Sequence, residues 1–306
     1  MSHVSDIVLK AIAKRKSLID EDTNALRLFD GVGDGAADLF LETFANRWVI
    51  SNREGDLSPE WIDCMQQSGK SVYWKRLDQH QKDDPVHLTG DEQEEPFVAK
   101  ESGVNYEISF QSGYSQGIFL DQRDNRKRVR QLVADQVSKG NAQTVLNTFA
   151  YTGAFSVCAA MGGATTTTLD LSQPYLDWAK QNMRCNAIDP QQHYFCKGDT
   201  FHWLKRFVKQ GRKFNGIILD PPTFSRDDKG KVFRVESHYD QLIQLASQCV
   251  AKGGWILAST NCRKLSHEAY LRLLRKGLSA PAKLISADMP EEYSGENYLK
   301  SVWIHL

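Results

Sequence analysis

The chain lacks any excess of charge of one sign. Its 306 residues carry 38 Lys and Arg against 38 Asp and Glu, so no overall field draws nucleic acid, and any such contact has to come from a local patch. Regular cysteine spacing is also missing. The six cysteines, at 64, 158, 185, 196, 249 and 262, include no C-x-x-C pair, which argues against a disulfide framework or zinc site and for a reducing cytoplasm. The eight histidines are equally scattered, and no metal is expected. No apolar run approaches the roughly 18–20 residues of a membrane span, so no membrane partner is expected. The N-terminus has no basic segment leading into an apolar core, the mark of a secretion leader. What is present is an ordinary globular composition, 41% hydrophobic and 25% charged, long enough for one large or two modest domains.

The informative stretch is 144–172, TVLNTFAYTGAFSVCAAMGGATTTTLDLS. Val145, Leu146 and Phe149 form a short apolar run with β-branched flanks. Gly153 follows in a loop, and 154–161 reads as a packed helix stopped by Gly162 and Gly163. The β-branched run 165–169 then brings Asp170 to the end of a second strand. Such a βαβ unit binds ligands at the carboxyl ends of its strands. The loop has neither the G-x-G-x-x-G pattern that lets backbone approach a pyrophosphate nor a P-loop. Asn147, Thr148, Phe149, Ala150, Tyr151, Thr152 and Gly153 offer one glycine, two aromatics and hydroxyls instead. That suits a cofactor without phosphate, such as S-adenosylmethionine; the alternative is a doubly wound domain whose loop binds nothing.

Before this stretch, residues 1–110 read as a small α+β domain. It holds an amphipathic helix over 7–19, the glycine-rich turn 29–35, and a hairpin of 39–42 with 48–51 joined across Ala45 and Asn46. A helix opened by Ser58 and Pro59, a strand over 72–77, an exposed acidic loop over 79–95 and a second hairpin over 98–110 follow. Residues 111–306 read as the second domain. Strands at 194–196, 215–219 and 255–259 alternate with helices at 173–186, 199–210, 237–250 and 266–278. The runs 283–287 and 301–305 close it as an antiparallel pair. Right-handed crossovers then gather the loops 147–153, 170–172, 198–200, 220–226 and 259–264 on one edge.

Three places on that edge, and one segment before the first strand, invite chemistry. Asp170, with Leu171 and Ser172 beside it, can accept hydrogen bonds from both ribose hydroxyls; its other reading is a charge at a helix N-terminus. Asp199 suits an adenine amino group or the cap of the next helix, or both. In Asp220-Pro221-Pro222-Thr223-Phe224 the two prolines remove two backbone donors and stiffen the turn. They hold Asp220 where it can meet a base amino group or the cofactor, and Phe224 where it can stack on a base. The plain alternative is a rigid turn with a capping Asp. Finally, SQGIFLDQRDNRKRVR at 115–130 supplies Arg123 or Arg126 for a cofactor carboxylate and other cations for phosphate.

FDGVGDG, GIFLDQRDNR, LNTFAYTGAFSVCAAMGGATTTTLDLS, KGDTF and LDPPTFS together resemble the class I S-adenosylmethionine-dependent methyltransferases of the bacterial large-subunit rRNA methyltransferase I and K/L type, over about residues 20–306. The resemblance implies an α/β fold: a Rossmann-like, doubly wound, seven-stranded sheet preceded by a small α+β domain. It also implies a cofactor near Phe119, Asp121 and Arg123, then Asn147 to Gly153, Asp170, Asp199 and Asp220, and rRNA as the partner. The chain starts too late for the RNA-binding PUA domain some members carry. The cytosine-C5 branch has its nucleophilic cysteine within Ser-Cys-Ser, where this chain has Asn261, with Cys262 one residue late. The guanine-N7 branch has Ser-Asn-Asn followed by basic residues, closer to Thr260-Asn261-Cys262-Arg263-Lys264. Purine N-methylation is therefore expected, with Asp220, Phe224 and Asn261 on the acceptor side. A cytosine-C5 enzyme using Cys262, a non-catalytic RNA-binding relative, and a protein or small-molecule methyltransferase stand as alternatives.

Overall fold

The computed structural model describes residues 3–113, 115–226 and 232–306. By compactness the chain divides into two units, Met1–Arg123 with Met289–Asn297, and Asp124–Asp288 with Tyr298–Leu306. The division falls at 123/124 rather than the expected 110/111, and a late segment rejoins the first unit.

The first unit runs α1 (His3–Arg15), β1 (Ala25–Asp30), β2 (Leu39–Phe44), β3 (Arg47–Asn52), α2 (Pro59–Gln66), β4 (Ser71–Arg76), β5 (Val86–Thr89), β6 (Phe97–Glu101) and β7 (Val104–Ile108). The first five strands form one sheet in sequence order; β6 and β7 form a separate hairpin. Ala45 and Asn46 both have positive φ, 48° and 71°, the two-residue turn whose twist matches a hairpin. The helix expected over 7–19 starts and stops earlier, and a single turn of 3-10 helix occupies Lys16–Leu18. The acidic stretch 79–95 is not all loop. β5 lies within it, paired antiparallel to β4: Val86-His87-Leu88-Thr89 alternates apolar and polar residues over only four positions, and the neighbouring strand supplies its ladder. Val4, Val8 and Ala11 of α1 pack with Leu26, Leu28 and Trp61 in the core.

The returning segment is tied to this unit through polar groups. Arg15 Nη2 donates to Glu292 O at 2.6 Å, and Gly295 N donates to Asp30 Oδ2 at 2.7 Å. The Arg27 guanidinium lies 4.5 Å from the Tyr293 ring centroid.

The second unit is built on α3 (Arg123–Val137), β8 (Thr144–Thr148), α4 (Ala154–Met161), β9 (Thr165–Asp170), α5 (Gln173–Arg184), β10 (Tyr194–Lys197), α6 (Thr200–Lys209), β11 (Phe214–Leu219), β12 (Phe224–Arg226), β13 (Val232–Arg234), α7 (Val235–Ser247), β14 (Val250–Thr260), α8 (His267–Gly277), β15 (Lys283–Ala287) and β16 (Lys300–His305). Its seven strands lie in the order β10-β9-β8-β11-β14-β16-β15. The first five are parallel, and β16 runs antiparallel to both β14 and β15. The chain winds outward from β8 to β10, returns to β11 and winds the other way, so the switch point lies between β8 and β11.

Both faces of the sheet are covered, and alternation along each strand sorts the core. Leu146, Ile217 and Leu219 pack on one side with residues of α6, α7 and α8, whereas Val145, Ile218 and Leu257 pack on the other with Val129, Val133, Phe155 and Trp303. β14 begins at Val250, earlier than expected, and runs through Gly253 and Gly254; a register shift against β11 between Phe214 and Gly216 absorbs the pair. No helix among the described residues is long and apolar enough to cross a membrane.

Candidate functional site

The carboxyl ends of β10, β9, β8, β11 and β14 share one rim, as the register requires: Lys197 pairs with Asp170, Leu169 with Thr148, Thr148 with Leu219, and Leu219 with Ala258. Asn147, Thr148, Phe149, Ala150, Tyr151, Gly153, Asp170, Leu171, Ser172, Asp199, Asp220, Phe224 and Asn261 therefore lie on or just beyond that rim. Phe119, Asp121 and Arg123 belong to the first unit. There Arg123 is buried, and its Nη1 donates to Glu292 Oε1 at 2.7 Å.

The loop after β8 is held in an unusual shape. Phe149, Tyr151 and Gly153 have positive φ of 50°, 50° and 73°. For two bulky aromatics that conformation is costly and persists only where surroundings enforce it. Here the enforcement is visible. Ala150 N donates to Leu169 O at 3.1 Å, Tyr151 N donates to Asp170 Oδ2 at 2.8 Å, and Asn182 Nδ2 of α5 donates to Thr152 O at 2.9 Å. At Gly153 a Cβ would stand 2.5 Å from Ala179 Cβ, so the loop passes against α5 where no side chain fits.

Asp170 is the centre of this clasp. Its Oδ1 accepts from Ser172 N at 2.9 Å while Oδ2 takes Tyr151 N, and the carboxylate keeps acceptor capacity for a hydroxyl. Burial raises its pKa, and the hydrogen bonds from Ser172, Tyr151 and Leu171 reverse only part of that rise. Ser172 caps α5, accepting from Tyr175 N at 3.4 Å, so the capping role goes to the serine and not to Asp170. Asp199 does cap its helix, accepting from His202 N at 2.8 Å.

Two loop residues serve the scaffold. Asn147 Nδ2 donates to Ser156 Oγ at 3.0 Å, and Thr168 Oγ1 donates to the same oxygen at 2.8 Å, joining β8, α4 and β9. Thr148 Oγ1 donates to Ile218 O at 2.8 Å and stitches β8 to β11. Both side chains are buried, so what they can present to a ligand is backbone.

The other half of the rim is a shelf. Pro221 is buried and Pro222 exposed, with half-buried Asp220 before them. Thr223 Oγ1 donates to Asn261 Oδ1 at 2.9 Å, which couples the loop after β11 to the loop after β14. Phe224 is 50% exposed and heads β12, directly across from Arg234 of β13, whose guanidinium lies 5.7 Å from the phenyl centroid. Beneath the shelf Tyr239 of α7 is fully buried. Its hydroxyl lies 3.0 Å from Leu219 O and 2.8 Å from Ser259 O, donating to one or the other, and so gauges the separation of the two strand ends. A change of Tyr239→Phe is expected to cost about 1–2 kcal/mol of stability by leaving a strand-end carbonyl without a donor. It should also lower kcat about tenfold with the affinity for S-adenosylhomocysteine intact, which calorimetry beside a methyl-transfer assay reads.

Cys262 is 1% exposed, and its thiol pKa is raised by burial and by the nearby Glu236 carboxylate. A nucleophilic cysteine needs the opposite, an accessible thiol in positive surroundings. Lys300 Nζ donates to Cys262 O at 3.1 Å and anchors this loop from β16.

The basic run at the start of α3 is divided between core and surface. Arg123 and Arg126 are buried, Arg128 stacks on Trp303 at 4.5 Å, and Lys127 is exposed. Arg126 sits with its guanidinium 5.8 Å from the Phe155 ring centroid, at the first turn of α4 beside the clasped loop. Along the sequence, Asn182 and Tyr239 have no assigned role, and Thr223 enters only as part of the motif at 220–224. Only Asn182 carried a signal, a polar residue beside Leu176, Ala179 and Met183 on the buried face of α5.

Residues 58–282 match the family model described as S-adenosylmethionine-dependent methyltransferase. The chain is 35% identical over 269 residues to YwbD of Bacillus subtilis, named as a candidate ribosomal RNA large subunit methyltransferase, covering 84% of this chain and 66% of that protein. To the ribosomal RNA large subunit methyltransferase K of Neisseria meningitidis it is 37% identical over 169 residues, 55% of this chain and 46% of the relative. The chain thus spans less than two thirds of these curated relatives. Among solved structures, SMU.776 complexed with SAH matches with a TM-score of 0.88 at 28% identity, covering 99% of this chain and 80% of that one.

Proposed function

The chain belongs to the S-adenosylmethionine-dependent methyltransferases, and from that premise we propose that it methylates a base of RNA, ribosomal RNA in a cytoplasmic setting, at a purine ring nitrogen such as guanine N7. The observation that carries this reading is the pairing, on one rim, of the Asp170 clasp with the Asp220–Thr223–Asn261 shelf.

The rim fits the cofactor. A loop shaped by Asp170 and α5, without a glycine nest, suits an adenosine carrying no phosphate. Asp170 would hold the ribose, Asp199 the adenine beside its capping bond, and Arg126 the methionine carboxylate. The cofactor supplies an electrophilic methyl on a sulfonium. Asp220 hydrogen-bonds the acceptor base, Phe224 offers it a stacking face, and Asn261, fixed by Thr223, borders it. Guanine N7 already presents a lone pair and loses no proton, so the acceptor side needs no general base; positioning supplies the rate. RNA as the acceptor is supported by the names of the relatives, which are ribosomal RNA methyltransferases.

The buried, disfavoured thiolate of Cys262 speaks for the purine reading over the cytosine-C5 one. With labelled cofactor and RNA from cells lacking the gene, Cys262→Ala is expected to keep at least half the wild-type rate and 5-fluorocytosine RNA to form no adduct. Loss of activity in that variant together with a wild-type adduct would hand the site to cytosine C5. Absence of transfer to any RNA would remove the RNA reading itself. Mapping the modified nucleotide completes the assignment.

A further inference from the structure

An RNA methyltransferase without net charge needs a concentrated cationic surface, and the start of α3 does not provide one. The β10–α6 edge of the second unit does. Between Tyr194 and Lys213 the chain carries Lys197, Lys205, Arg206, Lys209, Arg212 and Lys213 against one acid, Asp199. His202, Lys205, Arg206 and Lys209 are spaced i, i+3, i+4, i+7, so they share one face of α6, and all four are exposed. Among the described residues none of Lys197, Lys205, Arg206 or Lys209 has a carboxylate partner within salt-bridge distance.

The opposite face of α6, Phe201, Leu204 and Phe207, is sunk in the core, so this helix has no apolar side left for a lipid surface. The cations are interleaved with flat aromatic surfaces. Arg206 lies 4.9 Å from the Trp203 ring centroid and Arg212 5.3 Å from that of Tyr194, which is 56% exposed on the edge strand. Charge on an edge strand alone serves to discourage pairing with other chains. That explanation covers Lys197 but not a row of cations on the helix. The row starts at the rim, where Asp199 caps α6, and leads away from it.

Resting on the RNA reading above, we propose that this face seats the sugar–phosphate backbone of the RNA whose base enters the rim, Lys205, Arg206 and Lys209 contacting phosphates and Tyr194 and Trp203 offering stacking to an unpaired flank. The occupant is RNA rather than an acidic protein segment, because cations with aromatic faces among them match both the phosphates and the unpaired bases of a single strand.

The test is fluorescence anisotropy with a labelled RNA hairpin bearing single-stranded flanks, titrated between about 50 and 200 mM KCl. The triple variant Lys205→Gln, Arg206→Gln, Lys209→Gln keeps good helix formers on an exposed face. It is expected to weaken binding at least tenfold and to reduce the slope of log K against log salt by about 2, three contacts at roughly 0.7 each. Affinity for S-adenosylhomocysteine should stay unchanged. A charge-matched triple on α8, Arg272→Gln, Arg275→Gln, Lys276→Gln, should keep the wild-type slope. An α6 variant with the wild-type slope, an α8 variant weakened as much, or equal affinity for polyglutamate overturns the placement and leaves the RNA reading standing. Wild-type protein with no salt-dependent RNA affinity overturns both.

Discussion

Replacing Asp220 with alanine is expected to lower kcat by about 10²–10³, the usual loss when one preorganised polar contact to a reacting group is removed. Affinity for S-adenosylhomocysteine should move by no more than a few-fold. The reasoning is positional. Asp220 directly follows β11 at the switch point, is followed at once by two prolines, and comes just after Leu219, whose carbonyl lies 3.0 Å from the Tyr239 hydroxyl. Burial pushes the hydroxyl pKa values of Tyr239 and Tyr270 well up, and the Asp220 charge adds to both rises. Stopped-flow or labelled-methyl kinetics under saturating cofactor separates the two quantities. A variant in which cofactor affinity collapses while kcat survives would move Asp220 from the acceptor to the cofactor.

The second large effect belongs to Asp170→Ala, for which calorimetry with S-adenosylhomocysteine should show about 100-fold weaker binding. Two hydrogen bonds to a charged acceptor are worth about 1.5–3 kcal/mol each, and 1.4 kcal/mol is tenfold. Equal affinities would overturn the ribose assignment. The same residue predicts a pH dependence. Burial raises its pKa above the ordinary carboxylate value, and the bonds from Ser172, Tyr151 and Leu171 offset this only in part. Ribose binding uses the ionised form, so affinity is full above the raised pKa and falls as pH drops through it. The fall should begin above the pH of about 4 where an ordinary Asp titrates. For stability the sign is reversed: with the folded pKa above the unfolded one, the contribution is present below the unfolded pKa and lost as pH rises through the folded one. The free protein should therefore lose stability as pH rises through that raised pKa, whereas Asp170→Asn, whose amide nitrogen cannot accept from a backbone N–H, gives up one of the two clasp bonds along with cofactor affinity.

Much of the second unit was legible along the chain, because its signals are local. Asp170 is marked by a β-branched run that stops at an acid, Asp220 by an apolar one and Asp199 by the Gly-Asp that follows a short strand, and the parallel order follows from alternation of strand and helix. The glycine pair at 162 and 163 stops α4 as read, with Gly163 at φ 98° and Ala164 N donating back to Ala159 O at 3.0 Å. The first unit was less legible. β5 is only four alternating residues amid an acidic stretch and exists because β4 offers it a ladder, and 289–297 belongs to that unit through contacts with residues far away in sequence.

Sequence by itself determined the class of fold, the rim on which ligands gather and the absence of a pyrophosphate cradle, since periodicity and loop composition act between near neighbours. Only the tertiary structure decided which side chains are spent on internal bonds and which stay exposed. Asn147 and Thr148 turned inward, Arg123 met Glu292, Tyr239 bridged two strand ends, and the exposed cations came to lie on α6 rather than α3. The physical reason is that burial and hydrogen-bond satisfaction are set by partners distant along the chain, which no local pattern encodes.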